Sequence, residues 1–410
     1  MGKTIIEKIF HHHSKDEVKP GNTIWLDIDL RTARDFGGAN VVKNFIKYYP
    51  DDKVDDPSRT LFTFDCNAPA NTIAYANNQQ VCRKFAEEQH IKVYDVNSGI
   101  GSHVLIDDGL CSPGQTVVGT DSHLNLLGAV GVFGQGMGDQ DIAFAFRTGK
   151  VWFEVPESIK IDIEGKFSPP TSAKDLILLI LKNLGPRGAL GKSVEYYGEI
   201  FKSLTLSERI TIASMATEMG AIISFIPSDV GIFSISNVNN IDADEDALYK
   251  SQMKFDVNNL KPLISAPPNP SNVHEAAELK NIKVNSIFIG SCTNGRYEDI
   301  KIAAEILKGK RISPDVMLRI VPSTMRIYGE LLRDGILEIL YDAGAIISHP
   351  GCGGCASGQL GMTGRGEVQI STSNRNFPGK QGDGDTYLSS PATAAASALT
   401  GHITDPSEVI

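Results

Sequence analysis

Two glycine-rich cysteine segments, far apart in the chain, restrict the fold more than any other feature. One is Gly290-Ser-Cys-Thr-Asn-Gly-Arg296, holding Cys292; the other is His349-Pro-Gly-Cys-Gly-Gly-Cys-Ala-Ser-Gly358, holding Cys352 and Cys355. Ser286-Ile-Phe-Ile-Gly290 reads as a strand that stops where the first segment begins, and Thr60-Leu-Phe-Thr-Phe64 reads as another with a chemically suggestive segment after it. Open α/β sheets bind ligands beyond the carboxyl ends of their strands, so the placement points to an α/β chain with its chemistry at such an edge.

Taken alone, the three thiols allow a zinc site, a redox pair, plain core packing or an iron–sulfur cluster. The Cys-x-x-Cys lacks the second nearby pair of a zinc knuckle, and it does not follow an early strand as a thioredoxin-like pair does. Three thiolates suit a cluster. Clusters that only carry electrons usually have four protein ligands, so a set of three leaves one iron open, and an open iron is a Lewis acid for chemistry on an oxygen atom.

The 410 residues exceed the size at which single cores stop growing, so two or three domains are expected. We draw them at 1–156, 157–275 and 276–410, the breaks falling near Pro156 and in the linker-like Ala266-Pro-Pro-Asn-Pro-Ser-Asn-Val273. No repeat of fixed period is evident. With 41% hydrophobic and 21% charged residues the chain has an ordinary globular composition, and a net charge of −10 argues against a nucleic-acid partner. No apolar run reaches the ~18 residues of a membrane span, and the N-terminus lacks a signal-peptide pattern. Six cysteines form no secreted disulfide framework, which points to a reducing cytoplasm.

Asn77–Gln89 reads as a helix with Val81 and Phe85 on one face; Asp175–Leu184 and Leu206–Gly220 also read as helices, the last capped by Ser207. His11-His12-His13 reads as a solvated run in a polar opening segment. The run Gly131-Val-Phe-Gly-Gln-Gly-Met-Gly138 tempts a dinucleotide-binding assignment, and hence a nicotinamide-dependent dehydrogenase, but it follows Asp121-Ser-His123 in mid-chain and lacks the context such a motif needs.

The cysteine segments, together with Ser373-Asn-Arg-Asn-Phe377, resemble the cluster and substrate segments of the aconitase superfamily. Val118-Gly-Thr-Asp-Ser-His123, Thr148-Gly-Lys-Val-Trp-Phe-Glu-Val-Pro156 and Thr386-Tyr-Leu-Ser-Ser-Pro-Ala-Thr-Ala-Ala-Ala396 are similar to the large subunits of its isopropylmalate dehydratase branch, so the resemblance covers nearly the whole chain. It implies a three-domain α/β/α core around a [4Fe-4S] cluster with one open iron. It also implies a hydro-lyase that dehydrates, hydrates or isomerises a hydroxy-dicarboxylic acid. Homoaconitate, 2-methylmalate, 2,3-dimethylmalate and maleate are neighbouring substrate choices. A non-catalytic cluster-binding sensor is the alternative of another class.

By the same resemblance, Cys292, Cys352 and Cys355 hold the cluster. Arg375, Lys380, Ser122 and Asn374 face the substrate, Arg375 with a forked donor set suited to a carboxylate. His103, Asp121, His123, Glu218, Asp65 and Cys66 form the catalytic set, and the glycine run packs closely near the site. Four positions depart from the family. Asp65-Cys66 replaces Asp-His, Ser214 replaces an asparagine, Lys380 replaces an arginine, and Asn97-Ser-Gly-Ile-Gly-Ser-His103 is an unusual lead-in. Cys66, with a thiol pKa near ~8.5, is a poor substitute for an imidazolium, so His103 and His123 are expected to manage the proton. Single-chain aconitases carry a fourth, mobile domain with the serine base and another substrate arginine. The sequence ends at Ile410 before that domain would be reached, so a small subunit carrying it is the expected partner.

Overall fold

The computed structural model describes residues 2–227, 241–355 and 360–410. Ala356, Ser357 and Gly358 of the second cysteine segment lie outside them.

Three larger sheets organise the described chain, beside a two-stranded antiparallel pair of Thr23–Asp27 with Lys150–Glu154. In the first, five parallel strands stand in the spatial order Lys92–Tyr94, Thr60–Thr63, Leu30–Arg34, Thr116–Gly119, Phe133–Gly136. Numbered by sequence this is 3-2-1-4-5, so the winding reverses between the strands ending at Arg34 and Gly119, where side chains at the carboxyl ends can surround a ligand. The strands at Thr60–Thr63 and Thr116–Gly119 are buried throughout, as in a parallel sheet covered by helices on both faces.

The third sheet repeats this plan. Its five parallel strands run in the order Ile346–Ile347, Met317–Ile320, Ser286–Ile289, Val368–Ser371, Asp385–Ser389, again 3-2-1-4-5. The second sheet, also parallel, has the order Ile223–Phe225, Ser193–Tyr197, Ser158–Glu164, Ser251–Asp256. A topological repeat therefore exists where no sequence repeat is visible, because strand order leaves no periodic mark on side chains.

Several expectations need adjustment. Leu263–Ser265 and Val273–Glu275 extend the third sheet as antiparallel strands, so the Pro- and Asn-rich stretch between them is a hairpin loop at a sheet edge and not a linker. The helix expected at Asn77 starts at Ile73, capped by Thr72. Its buried face is Gln79, Cys82, Phe85, Ala86 and Gln89, while Val81 is exposed. The helix from Leu206 stops at Ser214 and is capped by Thr205 in a capping box with Glu208, followed by a short turn of helix at Thr217–Met219. The opening segment is a helix, Ile5–His13, that buries Ile5, Ile6, Ile9 and Phe10. His13 pairs with Asp29 at 2.8 Å, whereas His11 and His12 are exposed.

Each sheet has its own apolar core. A fourth cluster joins Ile100, Val104, Leu124 and Leu127 of the first unit to Ile210 and Ala213 on the helix Leu206–Ser214, with Cys292 at its margin. Burying such aliphatic side chains stabilises by about 1.5–3 kcal/mol each, so this cluster fixes the units against one another where the site lies.

Candidate active site

Arg34, the last residue of its strand, organises the first sheet's edge. Its Nε donates to Asp65 Oδ1 at 2.7 Å, Nη1 to Asp121 Oδ1 at 2.9 Å and Nη2 to Cys352 Sγ at 2.5 Å. Burial opposes its charge, but Asp121 and Asp65 outweigh this and hold the guanidinium well above its ordinary pKa. The next residue, Asp35, accepts the consecutive backbone N–H groups of Asp65, Cys66 and Asn67 at 3.2, 3.0 and 3.2 Å, and Gln79 Nε2 at 3.1 Å. This fixes the loop that carries Cys66.

Asp65 Oδ2 accepts the Gly101 N–H at 2.7 Å, and burial pushes its carboxyl up to about 6 despite Arg34. Asp121 also suffers burial, yet Arg34 and His123 keep it below the usual carboxylate range. Gly136, in the glycine run, lies where a Cβ would meet the Asp121 carbonyl oxygen at 2.4 Å. The run packs against the site, as the resemblance implies, and the close approach excludes any side chain there.

On the third sheet, Cys292 follows its strand through a tight turn. Gly290 has φ +157°, with space for no Cβ beside Val321 O, and Ser291 has φ +74°, a left-handed conformation rare for serine. The turn starts the short helix Ser291–Asn294 and buries Cys292. Cys352 and Cys355 lie beyond the strand Ile346–Ile347, and the Cys352 N–H donates to Asp65 O at 2.9 Å, joining the two sheet edges. Asn374 lies between the other two thiols: its Nδ2 donates to Cys292 Sγ at 3.4 Å, and Cys355 Sγ donates to its Oδ1 at 3.7 Å. Burial and the neighbouring Cys355, Asp121 and Cys352 raise the Cys292 thiol well above its ordinary pKa. Burial likewise raises Cys355, countered in part by the Lys380 cation.

The second unit contributes Glu218, buried on its turn of helix. Oε1 takes hydrogen bonds from Arg375 Nε at 2.9 Å and from His123 Nε2 at 3.1 Å; Oε2 is buried and has no hydrogen-bond partner among the described residues. Burial opposes the Glu218 charge, but His123 and Arg375 hold it below its usual range. The other His123 nitrogen, Nδ1, faces Ser122 Oγ at 3.3 Å, and the His123 backbone N–H donates to Asp121.

His103 is placed otherwise. Fully buried, it sets Nε2 3.0 Å from Cys292 O and Nδ1 3.2 Å from Arg296 Nη1, and burial with the Arg296 charge lowers its pKa to about 4. Arg296 can only donate, so Nδ1 accepts and Nε2–H donates to the carbonyl. Ser214 bonds to Thr293 Oγ1 at 3.2 Å, one residue from Cys292.

Arg34, Asp35, Arg296 and Lys174 were absent from the predicted set. Lys174, in the first turn of the helix Ala173–Leu184, is buried and donates to the carbonyls of Thr372 and Ser373 at 2.9 and 2.7 Å, beneath Asn374 and Arg375. Burial lowers it to about 8. A signal existed for one of these: Lys174-Asp175 opens a strongly apolar helix.

The donor set fits a cluster better than a single ion. One tetrahedral zinc would bring its sulfurs to about 3.8 Å of each other, given bonds of about 2.3 Å. Among the described residues the close grouping is instead Asp65, Cys66 and Cys352, within 4.8 Å of one another, and the trio Cys292, Cys352 and Cys355 is not gathered at that spacing. N–H donors from Arg34 and Asn374 point at two of the trio's sulfurs, the contact that tunes cluster thiolates.

The family model for aconitases (aconitate hydratase) matches residues 7–278 and 273–401. The chain is 40% identical over 415 residues to the 3-isopropylmalate dehydratase large subunit 1 of Methanopyrus kandleri, covering 99% of each chain. It is also 40% identical over 419 residues to that of Archaeoglobus fulgidus, covering all of both. The crystal structure of Thermococcus kodakaraensis aconitase X in its holo form matches with a TM-score of 0.51 at 14% identity, over 85% of this chain and 84% of that one, a likeness of fold. With a family model spanning nearly its whole length and full-length relatives at this identity, the chain belongs to the aconitase family.

Proposed function

We propose that the protein is the large, cluster-binding subunit of a [4Fe-4S]-dependent hydro-lyase acting on a hydroxy-dicarboxylic acid, most like 3-isopropylmalate dehydratase. The observation that carries this reading is Glu218. Its Oε1 is shared by His123 and Arg375 while its buried Oε2 lacks a partner among the described residues, a costly state that a substrate hydroxyl would relieve.

Cys292, Cys352 and Cys355 would hold the cluster, which when bound supplies a Lewis acid for the departing hydroxyl. Arg375, with Nε committed to Glu218, offers its terminal nitrogens to a substrate carboxylate; Lys380 adds a point charge. His123 holds the proton at Nε2 between itself and Glu218, Ser122 faces the other ring nitrogen, and Asp121 holds the His123 backbone N–H. His103 takes a different role from the one expected from sequence: with both nitrogens engaged and its pKa lowered, it positions the Cys292 turn. Cys66 stays a neutral thiol, because its hydrogen bond with Cys352 and its burial raise it well above the usual range. Asn374 orients two sulfurs, and Asp65 anchors Arg34 and the Gly101 helix start.

We further assign a domain to each sheet, with the second break drawn ahead of Leu263. The relatives' large-subunit names support a small-subunit partner that brings the swivel domain and substrate selectivity. Phe36 and Phe377, 73% and 46% exposed, each lie two residues beyond a site arginine, and Ile73, 82% exposed, opens the helix after the Cys66 loop. Apolar side chains at a site's rim fit a surface that another protein covers. No described helix is long and apolar enough to cross a membrane, and an oxygen-sensitive cluster fits a reducing cytoplasm.

Anaerobic reconstitution with iron and sulfide, followed by spectroscopy with and without citraconate, tests the reading. Citraconate should change the cluster's signal, and turnover should appear only when the small subunit is added. A spectrum unmoved by every dicarboxylate would favour a sensor, and full activity of the isolated chain would defeat the two-subunit proposal.

A further inference from the structure

A second sulfur pair lies beside the trio. Cys66 and Cys352 face each other, their Sγ atoms within the 4.8 Å grouping that includes Asp65. The backbone bond from Cys352 N to Asp65 O, 2.9 Å, clamps the two segments together next to Cys66, and Asp35 grips the other side of the loop through three N–H groups. A disulfide needs two sulfurs that can meet without large backbone movement, and this clamp holds the two segments side by side. Arg34 Nη2 donates to Cys352 Sγ at 2.5 Å, so a cation lies against the pair. Cys352 is half-buried and Cys66 buried, which makes Cys352 the sulfur that a small reagent reaches first. Cys355 is occupied on another side by Asn374.

We propose that in the cluster-free protein Cys66 is a resolving thiol that forms a reversible disulfide with the cluster ligand Cys352. The oxidant is a low-molecular-weight disulfide. The Cys352 thiolate attacks one of its sulfurs, breaking the S–S bond, forming a mixed disulfide and releasing one thiol. Cys66 attacks Cys352 Sγ, breaking the mixed disulfide, and its proton passes to the departing small thiolate, so that the protein disulfide forms and the second small thiol leaves. Two protein thiols are oxidised by two electrons and one small disulfide is reduced to two thiols. The linkage holds Cys352 at a state that thiols reverse, short of sulfinic acid. Only its effect on cluster rebuilding rests on the function proposed above.

The test strips the protein of metal with a chelator under reducing anaerobic conditions, removes the reductant, adds oxidised glutathione, alkylates the remaining thiols and maps peptides by mass. Two of the six thiols should be lost with no adduct retained, and a linked pair of peptides should contain Cys66 and Cys352. Dithiothreitol should restore both. Cys66→Ala should instead leave one glutathione on Cys352, and Cys66→Ser gives the same readout should the alanine variant fold poorly. A Cys352–Cys355 bridge in the oxidised wild type, or full alkylation of Cys66, would overturn the proposal. If the linkage forms but reduced protein takes up no cluster, the disulfide stands and the cluster reading fails.

Discussion

The first and third sheets share one strand order and present the same edge to the site, yet they equip it differently. At the first, a single arginine holds Asp65, Asp121 and Cys352, and a second layer from Asp35 locks the loop behind it. At the third, the side chains facing the site are thiols and an arginine on glycine-rich turns, with buried sulfurs that raise one another's pKa. Topology supplies the location; the residues just past each strand decide whether the location is rigid scaffold or reactive surface. Damage at the first edge should therefore cost stability, and damage at the third should cost chemistry.

The sharpest attempt to break this contrast is Cys292→Ala. Cluster absorbance after reconstitution should be lost and activity with the small subunit should fall to background, while the urea midpoint of the metal-free protein stays near wild type. Next comes Arg34→Met, which leaves Asp65 and Asp121 buried without their cation. A loss of about 3–5 kcal/mol in unfolding free energy is expected by urea titration, the usual cost of breaking a buried pair. Arg34→Lys should recover part of it, since the charge remains and the fork does not.

Arg375→Lys should leave stability unchanged and lower kcat/KM by about 10²–10³-fold, through the lost forked contact and the altered hold on Glu218. A stability loss as large as that of Arg34→Met would erase the distinction between the edges.

The smallest effect concerns a buried carboxyl of the third unit that no strong cation offsets. Burial raises Asp299 to about 7, although Asn294 and the Arg296 N–H bond to it. Between its unfolded pKa of ~3.9 and this value the native state binds the extra proton, so the contribution of Asp299 to stability is full below pH ~4 and is lost as pH rises toward 7. Asp299→Asn should flatten the pH dependence of the urea midpoint in that window. Parallel profiles for wild type and variant would count against the raised value.

What could be read from the residues alone follows the same division. The strands at Thr60 and Ser286 and the helix at Asp175 were legible because their apolar runs are local. Cys292, Cys352 and Cys355 stand out because short glycine-rich segments mark them, and their role as cluster ligands remains the proposal made above. Arg34 was not, since a lone charge at a strand end has no pattern and its partners lie 31, 87 and 318 positions away. His103 is a related case: sequence offers a histidine near the site, and only the fold shows that its two nitrogens face Cys292 O and Arg296. The linker-like Ala266–Val273 misled because a hairpin loop and a linker have the same composition.

The contact between Arg34 and Cys352 also sets a schedule for the making of the protein. During synthesis the arginine leaves the ribosome 318 residues ahead of the thiol it will touch, and Asp65 precedes the Cys352 N–H by almost as much. The first unit can fold early, but the place proposed for the cluster does not exist until the last quarter of the chain has emerged and docked. On that proposal a truncated or stalled product lacks the full set of Cys292, Cys352 and Cys355, and metal loading would report that translation has run past Cys355.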